Sequence, residues 1–167
     1  MIAHELATIS ERRTNQLLDP AWSGLPAYLA KNSGLESGLM IVQYVAAAAI
    51  AEMHVLGNPA ILSNVPVSNN KEDHVSMGAT AAWNLMSGVR RLSEIIACEA
   101  LIAAEALEHA SSRTSPHVAA LHTMVRSVAS ALDGDRSTSD ELMLLADGLV
   151  DGGWLARLEA EHGRLPR

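Results

Sequence analysis

The sequence has 167 residues, a length that suits one domain with a sizeable core. Hydrophobic residues make up 49% of it but aromatic residues only 3%, with no Phe, and this apolar content favours packed helices over a β-sandwich. A formal net charge of −7 argues against a nucleic-acid-binding surface, which would carry clustered Lys and Arg.

Cysteine content and hydropathy predict a cytoplasmic protein that does not enter a membrane. The lone cysteine, Cys98, cannot form an internal disulfide, which fits a reducing compartment and a role as a small buried hydrophobe. The first residues, MIAHELATISERR, lack the apolar segment of a secretory signal. The most apolar stretch, residues 39–51, is shorter than the roughly 20 residues that span a bilayer.

Helical signals follow one another along the chain, and no segment is a convincing strand. A first helix is predicted over residues 1–18, because Asp19-Pro20 disfavours its continuation. A connector with several Gly and Pro residues follows over 21–38. A second helix is predicted over 39–56, where Gly57 and a nearby Pro end it.

The third predicted helix is the longest and spans residues 71–110. Apolar residues recur on it at steps of three and four, and Leu101 and Ile102 lie off this stripe, so more than one face is apolar. Such a helix would be about 60 Å long, whereas a compact domain of this size is roughly 40 Å across. We therefore predict that residues 1–167 form a single elongated all-α bundle whose central helix is covered by other chains.

The last third of the chain is predicted to hold shorter elements. A break is expected at residues 111–116, because Ser and Pro interrupt the helical pattern there. Two shorter helices are expected within residues 117–149, at about 117–132 and 138–149. The tail from Gly152 is expected to be frayed.

A polar cluster, SNNKEDHVSMG at residues 68–78, stands directly before the long apolar segment. It reads as a helix start, with Asn70 as the N-cap and Glu72 and Asp73 in the first turn, where carboxylates meet the positive end of the helix dipole. A metal site is not expected, because His74 has no second His four residues away and adjacent helical positions point in different directions.

Three segments resemble motifs of a known family in the same order and with similar spacing. HELATISERRTNQLLDPAWSGLPAYL, SGLESGLMIVQYVAAAAIAE and SNVPVSNNKEDHVSMGATAAWNL are similar to ISERR…LLDP…LPxFL, GLNSGFMIAQ and SANQEDHVSM. These motifs belong to the C-terminal part of the histidine and aromatic amino-acid ammonia-lyases. A later segment, DGDRSTSDEL, resembles the family's DxDRxxxxDI. The resemblance implies the all-α fold of that C-terminal part.

The resemblance also implies where the chemistry lies. In that family an Ala-Ser-Gly triplet, outside the matched segments, cyclises to a methylidene-imidazolone group that captures the substrate amine. The string ASG does not occur in this sequence, and the family's tyrosine base and carboxylate-binding arginine also lie outside the matched part. We therefore expect no cofactor in this chain, the group on a larger partner chain, and no ammonia elimination by this chain alone.

Candidate site residues follow from their positions in the matched motifs. Glu72 corresponds to a catalytic glutamate that lies against the substrate side chain in histidine lyases. Met40 corresponds to a Met that lines the side-chain pocket. Ser68 and Lys71 precede Glu72 in the same motif, and we expect both, with Met40, to bind substrate. Lys71 stands where the family has Gln, and its cation would either neutralise Glu72 or attract an acidic group of the substrate. From the residues alone, Met40 would be a core residue and Lys71 a solvated first-turn lysine.

These expectations favour one function and leave two others open. The favoured one is the small subunit of a split, two-chain ammonia-lyase or aminomutase acting on an amino acid, in a hetero-oligomer of four small and four larger chains. Active sites of the resembled family are built where helices of three subunits meet. The alternatives are a non-catalytic assembly or regulatory subunit of a lyase-like complex, and a self-assembling helical remnant.

Overall fold

The computed structural model describes residues 1–110 and 114–164, with the backbone alone for His162, and in these residues the regular elements are helices. Single 3₁₀ turns lie at Ala27–Leu29 and Ala60–Ser63, and β pairing in the described residues is limited to two isolated bridges. The all-α prediction is confirmed. The helices are α1 (Ile2–Leu18), α2 (Pro20–Ser23), α3 (Met40–Leu56), α4 (Gly78–His109), α5 (Pro116–Arg126), α6 (Ser139–Val150) and α7 (Gly153–His162).

The long helix α4 organises the bundle, and α1, α3 and α6 pack along it. Its second half carries the centre of the core, where Ile95, Leu101 and Ile102 are almost fully buried. Each such side chain stabilises the fold by about 1.5–3 kcal/mol relative to leaving it in water. The small residues Ala97 and Ala104 are buried beside them and let neighbouring helices approach closely.

The first part of α4 projects beyond this core. Its buried residues begin only at Ser93, and the side chains before that position are exposed or half-buried. Trp83 is 67% exposed and Met86 is 61% exposed. Large apolar side chains that face water on several sides of one helix are typical of a surface that contacts other chains.

Helix α3 runs antiparallel to α4. Glu52, near the end of α3, pairs with Arg91 in the first half of α4 at 3.2 Å. Before the start of α3, the carbonyl of Leu29 contacts the ring Nε2 of His109, the last residue of α4, at 3.2 Å. The start of α3 therefore lies near the end of α4.

The predicted start of the long helix at residue 71 was wrong, because α4 begins at Gly78 and has 32 residues. Ser68, Asn69 and Asn70 have φ angles of 55°, 56° and 62°, and Met77 has a φ of 52°. A left-handed residue cannot continue a right-handed helix. At 1.5 Å per residue, α4 is about 48 Å long, shorter than predicted but still longer than a compact domain of this size.

Further boundaries differ in the last third of the chain. Helix α5 ends at Arg126, not near residue 132. The guanidinium of Arg126 donates to the carbonyl of Ala129 and to the carboxylate of Glu105. Part of the predicted break, residues 111–113, lies outside the described residues.

Where a frayed tail was expected, α7 forms, and its Trp154 packs so closely on Gly148 that a Cβ at Gly148 would overlap the indole ring. The assignment of the whole chain to one domain stays a prediction.

Candidate functional site

Residues 67–72 form a tight turn, here called the acidic turn, that presents three of the predicted site residues. The backbones of Val67 and Glu72 pair in both directions, with N···O distances of 2.8 and 3.2 Å. The N–H of Lys71 donates to the carbonyl of Ser68 at 3.2 Å. The side chains of Ser68, Lys71 and Glu72 are all exposed, so the turn offers a hydroxyl, an ammonium and a carboxylate to its surroundings.

Asn64 holds the chain beyond the acidic turn. Its amide nitrogen donates to the carbonyl of Val75, and the N–H of Val75 donates back to its Oδ1 at 3.2 Å. The side chain of Asn64 thereby bonds both backbone groups of Val75, as a neighbouring strand would. This contact fixes where the segment 67–75 stands relative to the 3₁₀ turn before it.

The backbone of the acidic turn is strained. Ser68, Asn69 and Asn70 are three consecutive non-glycine residues in the left-handed region, which costs about 1–2 kcal/mol per ordinary residue and less for Asn. Strain of this kind is concentrated at functional sites, where the surrounding structure maintains it. The conformation of the turn thus supports a role beyond connecting two helices.

The helix-cap interpretation of this cluster is wrong. The N-cap of α4 is Met77, which makes no side-chain capping bond, and Asn70 lies outside the helix in a left-handed conformation. Glu72 and Asp73 therefore do not occupy the first turn of α4. Within the described residues, the carboxylate of Glu72 has no hydrogen bond or ion pair, so the fold of this chain uses only its backbone.

Met40 lies at the start of α3 and is half-buried. It lines a cleft of about 250 Å³ with Tyr28, Gln43, Tyr44 and Ala47. The neighbouring Leu39, at 1% exposure, is the core residue at this position of the chain. Met40 is therefore available to a ligand or to another chain at the rim of the cleft.

The backbone beside Met40 is also held in an uncommon conformation. Tyr28 has a φ of 55°, and its carbonyl accepts a hydrogen bond from the N–H of Leu39 at 2.9 Å. Gly38 has a φ of 53°, and a Cβ there would stand 2.5 Å from the Tyr28 oxygen. Only glycine fits this close approach, which sets the direction in which α3 begins.

The structure does not bring Met40 and Glu72 together within one chain. Met40 begins α3 near the end of α4, whereas Glu72 precedes the start of α4 by a few residues. Helix α3 alone, with 17 residues, extends about 25 Å. The two predicted site residues therefore lie at opposite ends of the α3–α4 pair.

The sequence motifs did not identify several residues that shape the two regions. Tyr28, Gln43 and Tyr44 share the cleft with Met40, and Gln43 and Tyr44 follow it by three and four positions. Helical spacing could have placed them on one face with Met40. Asn64 gave no local signal, because its partner Val75 is distant in sequence.

The described residues give little support for a metal site, a membrane-spanning helix or a cysteine nucleophile. No group of three or more metal-ligating side chains occurs there. The helices described include none that combines the length and apolar character needed to cross a bilayer. Burial raises the pKa of the Cys98 thiol to about 12, so it is protonated and a poor nucleophile near neutral pH.

Comparison with known proteins shows which family the sequence matches. The sequence pattern of the family described as "Aromatic amino acid lyase" matches residues 1–127, which is more than half of the chain. The chain belongs to the aromatic amino acid lyase family. The resemblance seen in the sequence motifs is thereby confirmed.

The lyase-family chain is similar to curated bacterial enzymes over nearly all its length. It is 44% identical to histidine ammonia-lyase of Deinococcus radiodurans over 162 residues, which are 97% of this chain and 31% of that protein. It is 41% identical to histidine ammonia-lyase of Symbiobacterium thermophilum, covering 96% of this chain and 32% of that protein.

Solved structures agree with the sequence comparison. Tyrosine aminomutase from Streptomyces globisporus superposes with a TM-score of 0.90 at 34% identity, over 98% of the lyase-family chain and 32% of the aminomutase chain. Histidine ammonia-lyase from Trypanosoma cruzi superposes with a TM-score of 0.87 at 35% identity, over 94% and 31% of the two chains. The lyase-family chain spans about a third of the length of the proteins it matches.

Proposed function

We propose that this chain is the small subunit of a split, two-chain ammonia-lyase or aminomutase and supplies one wall of a composite active site. The observation that carries the proposal is the acidic turn, whose strained backbone presents Ser68, Lys71 and Glu72 to the outside of a lyase-family fold. A larger chain would cover this turn. The substrate would be an amino acid.

The residues of the acidic turn fit a wall that faces a prosthetic group held by another chain. They offer polar groups but no Ala-Ser-Gly precursor, and their exposure leaves room for a covering chain. When formed on the larger chain, the methylidene-imidazolone would supply an electrophile for the substrate amine. The tyrosine base and the carboxylate-binding arginine would also belong to the larger chain.

Within that site, this chain would recognise the substrate side chain. The carboxylate of Glu72, unused by the fold, would accept a hydrogen bond or a proton from a polar substrate side chain. The adjacent ammonium of Lys71 would favour a substrate that carries an acidic group. Met40 would contribute an apolar surface from the cleft at the other end of the helix pair, in a site formed by a second copy.

Assembly would follow from the exposed part of α4. Covering Trp83 and Met86 removes apolar surface from water, at roughly 25 cal/mol per Å². We propose an assembly of four small and four larger chains around the long helices, located in the cytoplasm. The free Cys98 is compatible with a reducing compartment.

The alternative is a non-catalytic assembly or regulatory subunit of a lyase-like complex. The exposed apolar side chains of the first part of α4 favour it, because they require a partner but no chemistry. In that case the acidic turn would contact the partner without touching substrate. Turnover by the complex would then be independent of the Glu72 carboxylate.

The proposal is tested by isolating this chain from its native source and determining the composition of the complex by native mass spectrometry. We expect a chain of 17.7 kDa bound to a larger chain that contains Ala-Ser-Gly. The complex should convert an amino acid to an unsaturated acid, detected by absorbance, or to a β-amino acid, detected by chromatography. A single polypeptide that holds both parts, or a complex of this chain alone, would contradict the two-chain arrangement.

A further inference from the structure

Asp135, in the turn before α6, binds the backbone of the turn that leads into α3. Its carboxylate accepts hydrogen bonds from the N–H of Ser37 at 2.9 Å and the N–H of Gly38 at 2.8 Å. Hydrogen bonds from N–H groups to an ionised carboxylate are about twice as strong as neutral ones. Asp135 therefore joins a late segment of the chain to the residues directly before Met40.

The same short turn is held from its other side. The N–H of Leu39 donates to the carbonyl of Tyr28, and Gly38 lies too close to that carbonyl for any side chain. Three successive N–H groups, those of residues 37–39, thus all have fixed partners. The direction of α3 at its first residue, Met40, is set by Asp135 on one side and Tyr28 on the other.

These contacts connect Asp135 to the Met40 cleft without placing it inside that cleft. Met40 and Tyr28 both line the cleft, whereas Asp135 lines a separate one of about 450 Å³ beside the start of α6. Loss of the Asp135 carboxylate would leave two backbone N–H groups without an acceptor. The turn would then loosen, and Met40 and Tyr28 would move relative to each other.

Asp133, two residues earlier, provides a natural comparison. Its carboxylate pairs with the ammonium of Lys31 at 2.6 Å, but both side chains are largely exposed. Exposed ion pairs contribute little to structure, since water screens the charges and the side chains lose freedom. Asp133 therefore shares the segment and the charge of Asp135, but it makes no such bond to the turn before α3.

We propose that Asp135 is a positioning residue for the substrate side-chain pocket, acting through Ser37 and Gly38 on Met40 and Tyr28. This inference rests on the proposed function, because it takes the Met40 cleft to contact substrate. A displaced pocket wall weakens binding of the substrate in the ground state and the transition state alike. Such a change raises KM more than it lowers kcat.

The test uses the complex of this chain with its partner and four variants of this chain. Asp135→Asn removes the charge, Asp135→Glu keeps it, Gly38→Ala disturbs the same turn from the Tyr28 side, and Asp133→Asn is the matched control. Two quantities are measured for each: hydrogen exchange of the peptide that contains residues 37–39, and KM and kcat with amino acids of different side-chain size.

For Asp135→Asn we expect exchange of that peptide to accelerate about tenfold or more, because its N–H groups lose charged acceptors. KM should rise about tenfold and the order of preference among side chains should change, with kcat within about threefold, because a loss of uniform binding raises KM and leaves kcat nearly unchanged. Gly38→Ala should act in the same way, Asp135→Glu should recover part of the affinity, and Asp133→Asn should change neither quantity.

The outcomes separate this inference from the proposed function. An active complex whose Asp135→Asn variant keeps the exchange rate, or keeps KM and side-chain preference, overturns the positioning role alone. Should Asp135→Asn fail to assemble, Gly38→Ala decides by the same criteria, because it leaves the carboxylate in place. A complex that converts no amino acid overturns the proposed function and with it the pocket role, whatever the exchange data.

Discussion

Glu105 of α4 is buried, and its carboxylate accepts a hydrogen bond of 2.8 Å from the guanidinium of Arg126, the last residue of α5. The N–H of Leu132 also donates to this carboxylate, at 3.3 Å. One acidic side chain inside the core thus holds both the end of α5 and the irregular segment after it. Both contacts tie the end of α5 and the segment after it to α4.

Removing one member of this pair should destabilise the fold strongly. Glu105→Ala leaves the largely buried guanidinium of Arg126 with Glu108 as its remaining carboxylate partner and deprives the N–H of Leu132 of its acceptor. We expect a loss of about 2 kcal/mol in the free energy of unfolding. Urea denaturation measures it. Glu105→Leu combined with Arg126→Met, which removes both charges, should recover most of the loss, and a single variant as stable as the wild type would contradict the assignment.

Glu108 should make stability depend on acid pH. Its hydrogen bond from His122, together with Arg126, holds the pKa of Glu108 below its ordinary value of 4.5. The folded state therefore binds this proton less readily than the unfolded state, so the contribution is present above pH 4.5 and is lost as pH falls below it. Thermal unfolding between pH 7 and pH 3 should show a shallower decline for Glu108→Gln than for the wild type. Identical slopes would exclude this contribution.

The thiol of Cys98 should react very slowly in the folded protein. Burial raises the pKa of its thiol to about 12, so almost no thiolate is present at pH 8. A thiol reagent added at pH 8 should therefore label the native protein very slowly and the urea-unfolded protein at once. Rapid labelling of the native form would show that the core around α4 opens readily.

Glu72→Gln should separate catalysis from folding. The fold uses only the backbone of Glu72, so the variant should assemble with unchanged stability. If the carboxylate faces substrate, turnover by the complex should fall about 10²-fold or more. Asp73→Asn is the matched control and should retain activity, because it removes a neighbouring exposed charge from a position with no assigned role. Unchanged turnover for Glu72→Gln would leave the turn with a structural role only.

Local rules predicted the helical class and the ends of the first two long helices. Helix α1 ends before Asp19, which precedes Pro20 and is extended, as expected for a residue before proline. Helix α3 ends at Leu56, with Gly57 as its C-cap. The start of α4 could not be predicted in this way, because Asn70 and Glu72 are residues that also begin helices. There the left-handed backbone and the contact between Asn64 and Val75 decide.

Even less of the candidate site could be predicted from local sequence patterns. The motif resemblance pointed to Glu72 and Met40, but nothing in their spacing indicated that the fold separates them. The contact between Asp135 and the turn before α3 joins residues about a hundred positions apart. Pairings of this kind follow from how helices pack, which periodicity within one segment does not report.

The separation of Met40 and Glu72 at opposite ends of the α3–α4 pair has a genetic consequence. A site that uses both residues must take them from different copies of the chain, so two inactive variants can complement each other. Mixing Glu72→Gln chains with Met40→Trp chains in one assembly should regenerate about a quarter of the sites with both native residues, if copies mix at random. A damaged allele of this protein would then be partly rescued by a second allele damaged elsewhere.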